Sequence, residues 1–238
     1  MKPLIVALGF LTRLPMPRVA ADQADFARAI RLYPVAGLVI GAIVAGAGWL
    51  GAWVDPWVGA LAALAVWVWA TGALHLDGLA DLSDGLGAAH GDRARLLSVM
   101  ADPHIGSFGV VVLVIQLLAK LVLLHRVPPD HWAMIALIPA AARIGPLVWA
   151  RFLPPLKPNG LGAAVAGAVR PGDVIGWMVG VLALDLFAPP LAVTPLVIFG
   201  LGLWFRRKLG GVSGDVHGAG IELTETALLL AAVLYTAS

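Results

Sequence analysis

"WVGALAALAVWVWATGALHLDGLADLSDGLG", Trp57 to Gly87, joins two incompatible environments. Its first twenty residues, through Leu76, contain no Asp, Glu, Lys or Arg. Such a run is long enough to cross a hydrocarbon core of ~30 Å, and it must do so as a helix because lipid offers the backbone no hydrogen bonds. The next eight residues hold Asp77, Asp81 and Asp84. A carboxylate turned to lipid near a helix centre costs roughly 2.5–3.5 kcal/mol, so three together must face water or a polar cavity.

The rest of the chain repeats the apolar half of that pattern. Its 238 residues are 60% hydrophobic and 13% charged, with a mean hydropathy of +0.91, far outside the range of a soluble domain. The expected fold is an all-α, polytopic integral membrane bundle forming a single domain over residues 1–238. About seven spans are expected, near 34–54, 57–76, 106–125, 132–152, 172–188, 190–205 and 221–237; six or eight are also compatible. Pro189 and Pro190 mark a turn between the fifth and sixth. The opening "MKPLIVALGFLTRLPMP" has an apolar stretch too short to span, and reads as a short helix lying in the interface or docked on the bundle.

The absence of cysteine excludes thiolate metal sites, disulfides and cysteine nucleophiles. A net charge of +2 is too small to point to nucleic acid. Its placement carries more information. Lys2, Arg13, Arg18, Arg28 and Arg31 precede the first span; Arg93 and Arg95 follow the second; Arg151, Lys157 and Arg170 follow the fourth; Arg206, Arg207 and Lys208 follow the sixth. The opposite loops hold Arg126, with Lys120 read as snorkelling to the same side. The positive-inside bias therefore puts the N-terminus and the aspartate loop in the cytoplasm.

On a helix, Asp81 lies about 40° and Asp84 about −20° from Asp77, so the three carboxylates form one stripe, with Gly78 and Gly85 beside it. Carboxylates crowded in this way repel, and a divalent cation relieves them. Hard oxygen ligands point to Mg²⁺, with Mn²⁺ possible, and Mg²⁺ commonly takes a phosphate-bearing substrate as a further ligand. The alternative is a solvated acidic loop that ends the span. His75 points about 160° from Asp77 and reads as a packing or capping residue.

Two later segments add polar groups. "GGVSGDVHGAGIELTE", Gly210 to Glu225, has glycines whose exposed N–H groups could cradle an anion, and it carries Asp215, His217, Glu222 and Glu225. The two glutamates either extend the site or are favoured by a helix N-terminus. "MADPHIGSFG", Met100 to Gly109, adds Asp102 and His104. Arg143 sits in mid-span, where it requires a partner carboxylate or a substrate phosphate. Carboxylates, a glycine-rich loop and basic residues at one face of a membrane suggest metal-assisted phosphoryl-type transfer.

"DGLADLSDG" partly resembles the acidic motif of the CDP-alcohol phosphotransferases, but Asp81 stands where that family has Arg, and no second Asp follows Asp84 by four residues. A fuller resemblance is to the cobalamin (5′-phosphate) synthases, or adenosylcobinamide-GDP ribazoletransferases. It is carried by "FLTRLPMP" (Phe10–Pro17), "YPVAGLVIG" (Tyr33–Gly41), "HLDGLADLSDG", "MADPHIGSFGV" and "GGVSGDVHGAGIELTE", in order along nearly the whole chain. The chain has His104 where that family often has Arg, and Ser213 where it usually has Thr.

The resemblance implies a Mg²⁺-dependent enzyme of the bacterial cytoplasmic (inner) membrane with its active site facing the cytoplasm. It would join adenosylcobinamide-GDP to α-ribazole or its 5′-phosphate and release GMP. Asp77, Asp81 and Asp84 are then the expected metal residues; Asp81, Asp84, Asp102 and Asp215 the catalytic candidates; and Arg143, His104, Gly214, His217, Glu222 and Glu225 the substrate-binding candidates. A homo-oligomer, or an assembly with other enzymes of cobalamin synthesis, is compatible with this reading. The alternatives are a lipid-headgroup transferase and an ion-coupled transporter; a transporter would spread ionisable groups through several spans.

Overall fold

The computed structural model describes residues 1–157 and 161–237. Among these no strand forms; one isolated bridge pairs Pro155 with Val212. The protein is an all-α polytopic membrane protein.

Helix α1 (Lys2–Leu11) buries Val6, Ala7, Leu8 and Leu11, and packs on α2 (Gln23–Ala29) and α3 (Tyr33–Ala52). It is thus docked on the bundle, one of the two placements its length allowed. Asp22 caps α2 by accepting the Asp25 N–H at 2.7 Å, and Lys2 pairs with Asp25 at 2.5 Å. Helix α3 forms an antiparallel hairpin with α4 (Pro56–Thr71), which starts at an Asp55 cap with Pro56 in its first turn.

At the end of α4 the chain turns sharply. Gly72 and Ala73 both take φ near 60°, and α5 (Leu74–Ala89) departs at 84° to α4. Such a break leaves carbonyls without helical partners. The Arg13 N–H satisfies one of them, donating to the Ala70 carbonyl at 2.8 Å. Gly72 is required twice over, by its left-handed backbone and because a Cβ there would lie 2.9 Å from Arg13 Cγ.

Helix α6 (Arg93–Val99) and α7 (Ser107–Arg126) follow. The next span, Pro129–Phe152, is the most buried of the long ones and is divided into α8 (Trp132–Ile135), α9 (Ile138–Ala142) and α10 (Ile144–Phe152). Pro139 and Pro146 each remove a backbone donor from it. Then come α11 (Leu161–Ala166), α12 (Pro171–Leu184), α13 (Thr194–Lys208) and α14 (Gly214–Thr236). Trp149 on α10 donates its Nε1–H to the Ile198 carbonyl on α13 at 2.9 Å, tying these two helices together.

All seven expected windows fall on helices, but fewer of them qualify as spans. Among the described residues five segments are long and apolar enough, Gln23–Ala52, Ser107–Arg126, Pro129–Phe152, Pro189–Lys208 and Gly214–Thr236; the bent α4–α5 pair would make six. Helix α12 has 14 residues, about 21 Å at 1.5 Å per residue, which is short of the ~30 Å hydrocarbon core. The last span starts earlier than its window, because Ser213 accepts the Val216 N–H at 3.3 Å and begins α14 there. The glycine-rich segment is therefore helical from Gly214 onward, where turns cradling an anion were expected.

Candidate functional site

The site is built where α5 crosses α14. Gly78 allows the crossing: a Cβ there would lie 2.7 Å from the Asp215 carbonyl oxygen and 2.9 Å from its Cα. From the other side, a Cβ on Gly218 would lie 3.3 Å from the His75 Cα. The expectation that the glycines beside the aspartates admit close approach is met here by a helix rather than a ligand. As a result Asp215, at the start of α14, joins the α5 stripe. The charges of Asp77, Asp215 and Asp84 all act on Asp81, and Lys157 opposes them.

The carboxylates of this cluster are not equivalent. Among the described residues, Asp77 and Asp81 make no hydrogen bond or ion pair with another side chain; Asp77 is exposed and Asp81 half-buried. Asp215 has one weak partner, Ser213 Oγ at 3.3 Å. Asp84 is buried, and its two oxygens accept the N–H groups of Gly106 at 2.7 Å and Gly109 at 2.9 Å. Asp84 thus caps α7 from a neighbouring helix, whereas the sequence reading made it a metal ligand and catalytic residue.

A cavity of about 550 Å³ opens beside the crossing. Asp77, Asp215, His75 and His217 line one part of it, with Gly214 beside them; Phe10, Phe26 and Tyr33 line another. His75 and His217 are 3% and 9% exposed, and the Nε2 of each lacks a hydrogen-bond partner. His75 borders the cavity while packing inside the bundle, where its Nδ1 lies 3.4 Å from Arg143 Nη2.

Asp102 and His104 stay outside the cavity lining. They pair with each other at 2.7 Å in an exposed turn, with side chains 55% and 89% accessible. Hydrogen bonds from the His104 backbone N–H and ring hold the Asp102 carboxyl below the usual carboxylate range.

Arg143, Glu222 and Glu225 lie within the bundle and bond to one another or to protein neighbours. Arg143 Nη1 donates to Glu225 Oε1 at 2.9 Å, and Lys120 Nζ reaches both Glu222 and Glu225 at 2.7 Å. Gln116 donates to Glu222 at 2.9 Å, and Arg143 Nη2 approaches His75 Nδ1 at 3.4 Å. Two cations and two anions are balanced, as burial away from water requires. Of the partners offered for Arg143, the structure supplies the carboxylate. Lys120 does not snorkel: it is 2% exposed and sits 4.4 Å from the Trp67 ring centroid. Sequence reasoning missed Gln116 and Lys120 as members of this network. Their spacing of four within an apolar span, which puts both on one helix face, was the available signal.

Among the described residues, no three His, Asp or Glu side chains converge closely enough to enclose a metal ion. Mg²⁺, however, is usually held by one or two carboxylates and substrate phosphates rather than by an all-protein cage. Asp77, Asp81 and Asp215 offer hard oxygen donors for such a partial shell, and Asp84, whose two oxygens each accept one N–H, keeps its remaining lone pairs.

An all-α membrane bundle that gathers carboxylates at the edge of an open cavity has the make-up of an integral-membrane enzyme. The cobalamin-5-phosphate synthase family matches residues 3–233. The chain belongs to that family, and it is a transferase of cobalamin biosynthesis. Similar proteins named adenosylcobinamide-GDP ribazoletransferase include that of Novosphingobium aromaticivorans, 57% identical over 98% of this chain and 97% of the relative. That of Thiobacillus denitrificans is 53% identical over 98% and 95%, and that of Brevibacillus brevis 32% identical over 98% of each. No solved structure matches the chain.

Proposed function

We propose that the protein joins adenosylcobinamide-GDP to α-ribazole or its 5′-phosphate and releases GMP, at the cytoplasmic face of the bacterial inner membrane. A ribose hydroxyl attacks the phosphorus next to the cobinamide arm. The new O–P bond forms as the anhydride bond to GMP breaks, and the hydroxyl proton passes to a carboxylate. The observation that carries this reading is the grouping of Asp77, Asp81 and Asp215 at the α5–α14 crossing beside a cavity, with no cation paired to Asp77 or Asp81 among the described residues.

Asp215 is the residue we assign to the hydroxyl proton. It lines the cavity and has only a 3.3 Å contact to Ser213, so its carboxylate is free to act as a base. Asp77 and Asp81 are the residues that would hold a divalent cation, Mg²⁺ or Mn²⁺, beside the substrate diphosphate. When bound, that cation supplies charge neutralisation at the phosphoanhydride. Lys157, whose charge reaches Asp81 and Asp215, is placed to pair with a phosphate oxygen. The Asp84 cap fixes the start of α7 against α5 and so holds the carboxylate-bearing helix in place.

The test is product formation by the purified protein in liposomes, supplied with adenosylcobinamide-GDP and α-ribazole, with and without Mg²⁺. Equal amounts of GMP and adenosylcobalamin are expected only with the metal. Inserted protein that gives neither product would refute the proposal.

A further inference from the structure

The cavity has two chemically distinct parts. The first is aromatic: Phe10 stacks on Tyr33 with centroids 6.2 Å apart and planes at 24°, and meets Phe26 edge-on at 6.0 Å. The second is polar, with Asp77 and Asp215 beside the buried His75 and His217.

We propose that this cavity is the acceptor subsite and takes a nucleoside with an apolar bicyclic base. The base lies against Phe10, Phe26 and Tyr33, and the ribose lies toward Asp77 and Asp215. This inference rests on the transfer reaction proposed above, and it specifies which of the two substrates enters here and how it is oriented.

Size and polarity select that occupant. At about 550 Å³ the space lies within the ~300–1,000 Å³ of pockets for drug-sized ligands. It is too small for a corrin ring with its amide arms. A guanine would bring a polar edge to a wall made mainly of Phe10, Phe26, Ile30 and Val165, with Gln23 and the Tyr33 hydroxyl its polar side chains, fewer groups than that edge has donors and acceptors, and leaving buried ones unmade is unfavourable. Asp22, beside that wall, is already engaged in capping α2. A benzimidazole-type base has no polar groups on its outer edge. With the base on the aromatic wall, the sugar lies toward Asp77 and Asp215, where the attacking hydroxyl is needed.

The experiment uses the full-length protein in detergent and α-ribazole as the probe. α-Ribazole is expected to bind in equilibrium dialysis without the second substrate, and an excess of GMP should not displace it. Phe26 is half-buried on the short α2, at the edge of the core. Phe26→Ala is expected to raise both the Kd and the KM for α-ribazole about tenfold, the order of one lost base–aromatic stack. KM for adenosylcobinamide-GDP should stay within about twofold. Phe26→Leu keeps apolar bulk without the stacking face, and should fall between wild type and Phe26→Ala.

Displacement of α-ribazole by GMP would overturn the assignment, as would a KM change confined to adenosylcobinamide-GDP or no change in either variant. These failures are separable from failure of the reaction itself. Wild type that turns over while the Phe26 variants keep an unchanged α-ribazole KM defeats the subsite alone. Wild type that binds α-ribazole as described but yields no product defeats the reaction.

Discussion

Glu225→Gln removes one of two anions from the buried quartet of Lys120, Arg143, Glu222 and Glu225, leaving two cations to share one carboxylate. Glu225 and Arg143 have fully inaccessible side chains, and that of Lys120 is 3% accessible, so water cannot take over the lost pairing. Removing one member of a buried ion pair costs about 3–5 kcal/mol. A neutral interhelical hydrogen bond in a membrane protein is worth on average only about 0.6 kcal/mol, so the two interpretations of these contacts differ enough to separate. Adding Arg143→Met restores charge balance, because Lys120 and Glu222 remain paired at 2.7 Å. The double variant should therefore recover at least about 1.5 kcal/mol relative to the sum of the single changes. The assay is equilibrium unfolding in mixed micelles by SDS titration, followed by tryptophan fluorescence. A loss below about 1 kcal/mol for Glu225→Gln, or strict additivity in the double variant, would refute the claim that the network acts as a balanced buried set.

Three further outcomes follow from the site. Gly78→Ala places a Cβ 2.7 Å from the Asp215 carbonyl oxygen; since neither backbone can yield cheaply, stability should fall by about 1–3 kcal/mol. Turnover per folded molecule should fall as well, because Asp215 is moved from Asp77. Asp84→Ala removes the acceptor of two N–H groups and should cost about 1–2 kcal/mol in the same unfolding assay, while Asp81→Ala, with no such bonds to lose, should cost less. Chelation by EDTA should abolish turnover, and Mg²⁺ or Mn²⁺ should restore it; zinc should be the poorer replacement for a site of carboxylate oxygens.

Much of the architecture was legible as hydropathy, since lipid leaves an apolar chain segment few alternatives to a helix. The break after α4 was only half legible. Gly72 signals a turn, but Ala73 also takes a left-handed backbone, and the group that satisfies the exposed Ala70 carbonyl comes from Arg13, far earlier in the chain. The acidic stripe was legible from spacing alone. Its division of labour was not, because Asp84 is distinguished from Asp81 by the amides of Gly106 and Gly109, more than twenty residues away. Likewise Glu222 and Glu225 look like site residues until Lys120 and Arg143 are placed against them. Residue types mark where charge must be compensated, and tertiary packing decides whether a protein group or a ligand does so.

Asp81 is the most direct point at which to test the central claim, since among the described residues its side chain makes no hydrogen bond or ion pair while three neighbouring carboxylates act on it. The measurement is GMP release from adenosylcobinamide-GDP and α-ribazole, with Mg²⁺, by wild type and Asp81→Asn at matched amounts of folded, membrane-inserted protein. Asp81→Asn keeps the side-chain shape and removes the charge, so the account predicts a loss of about 10²-fold or more with unchanged insertion. Turnover equal to wild type would contradict it.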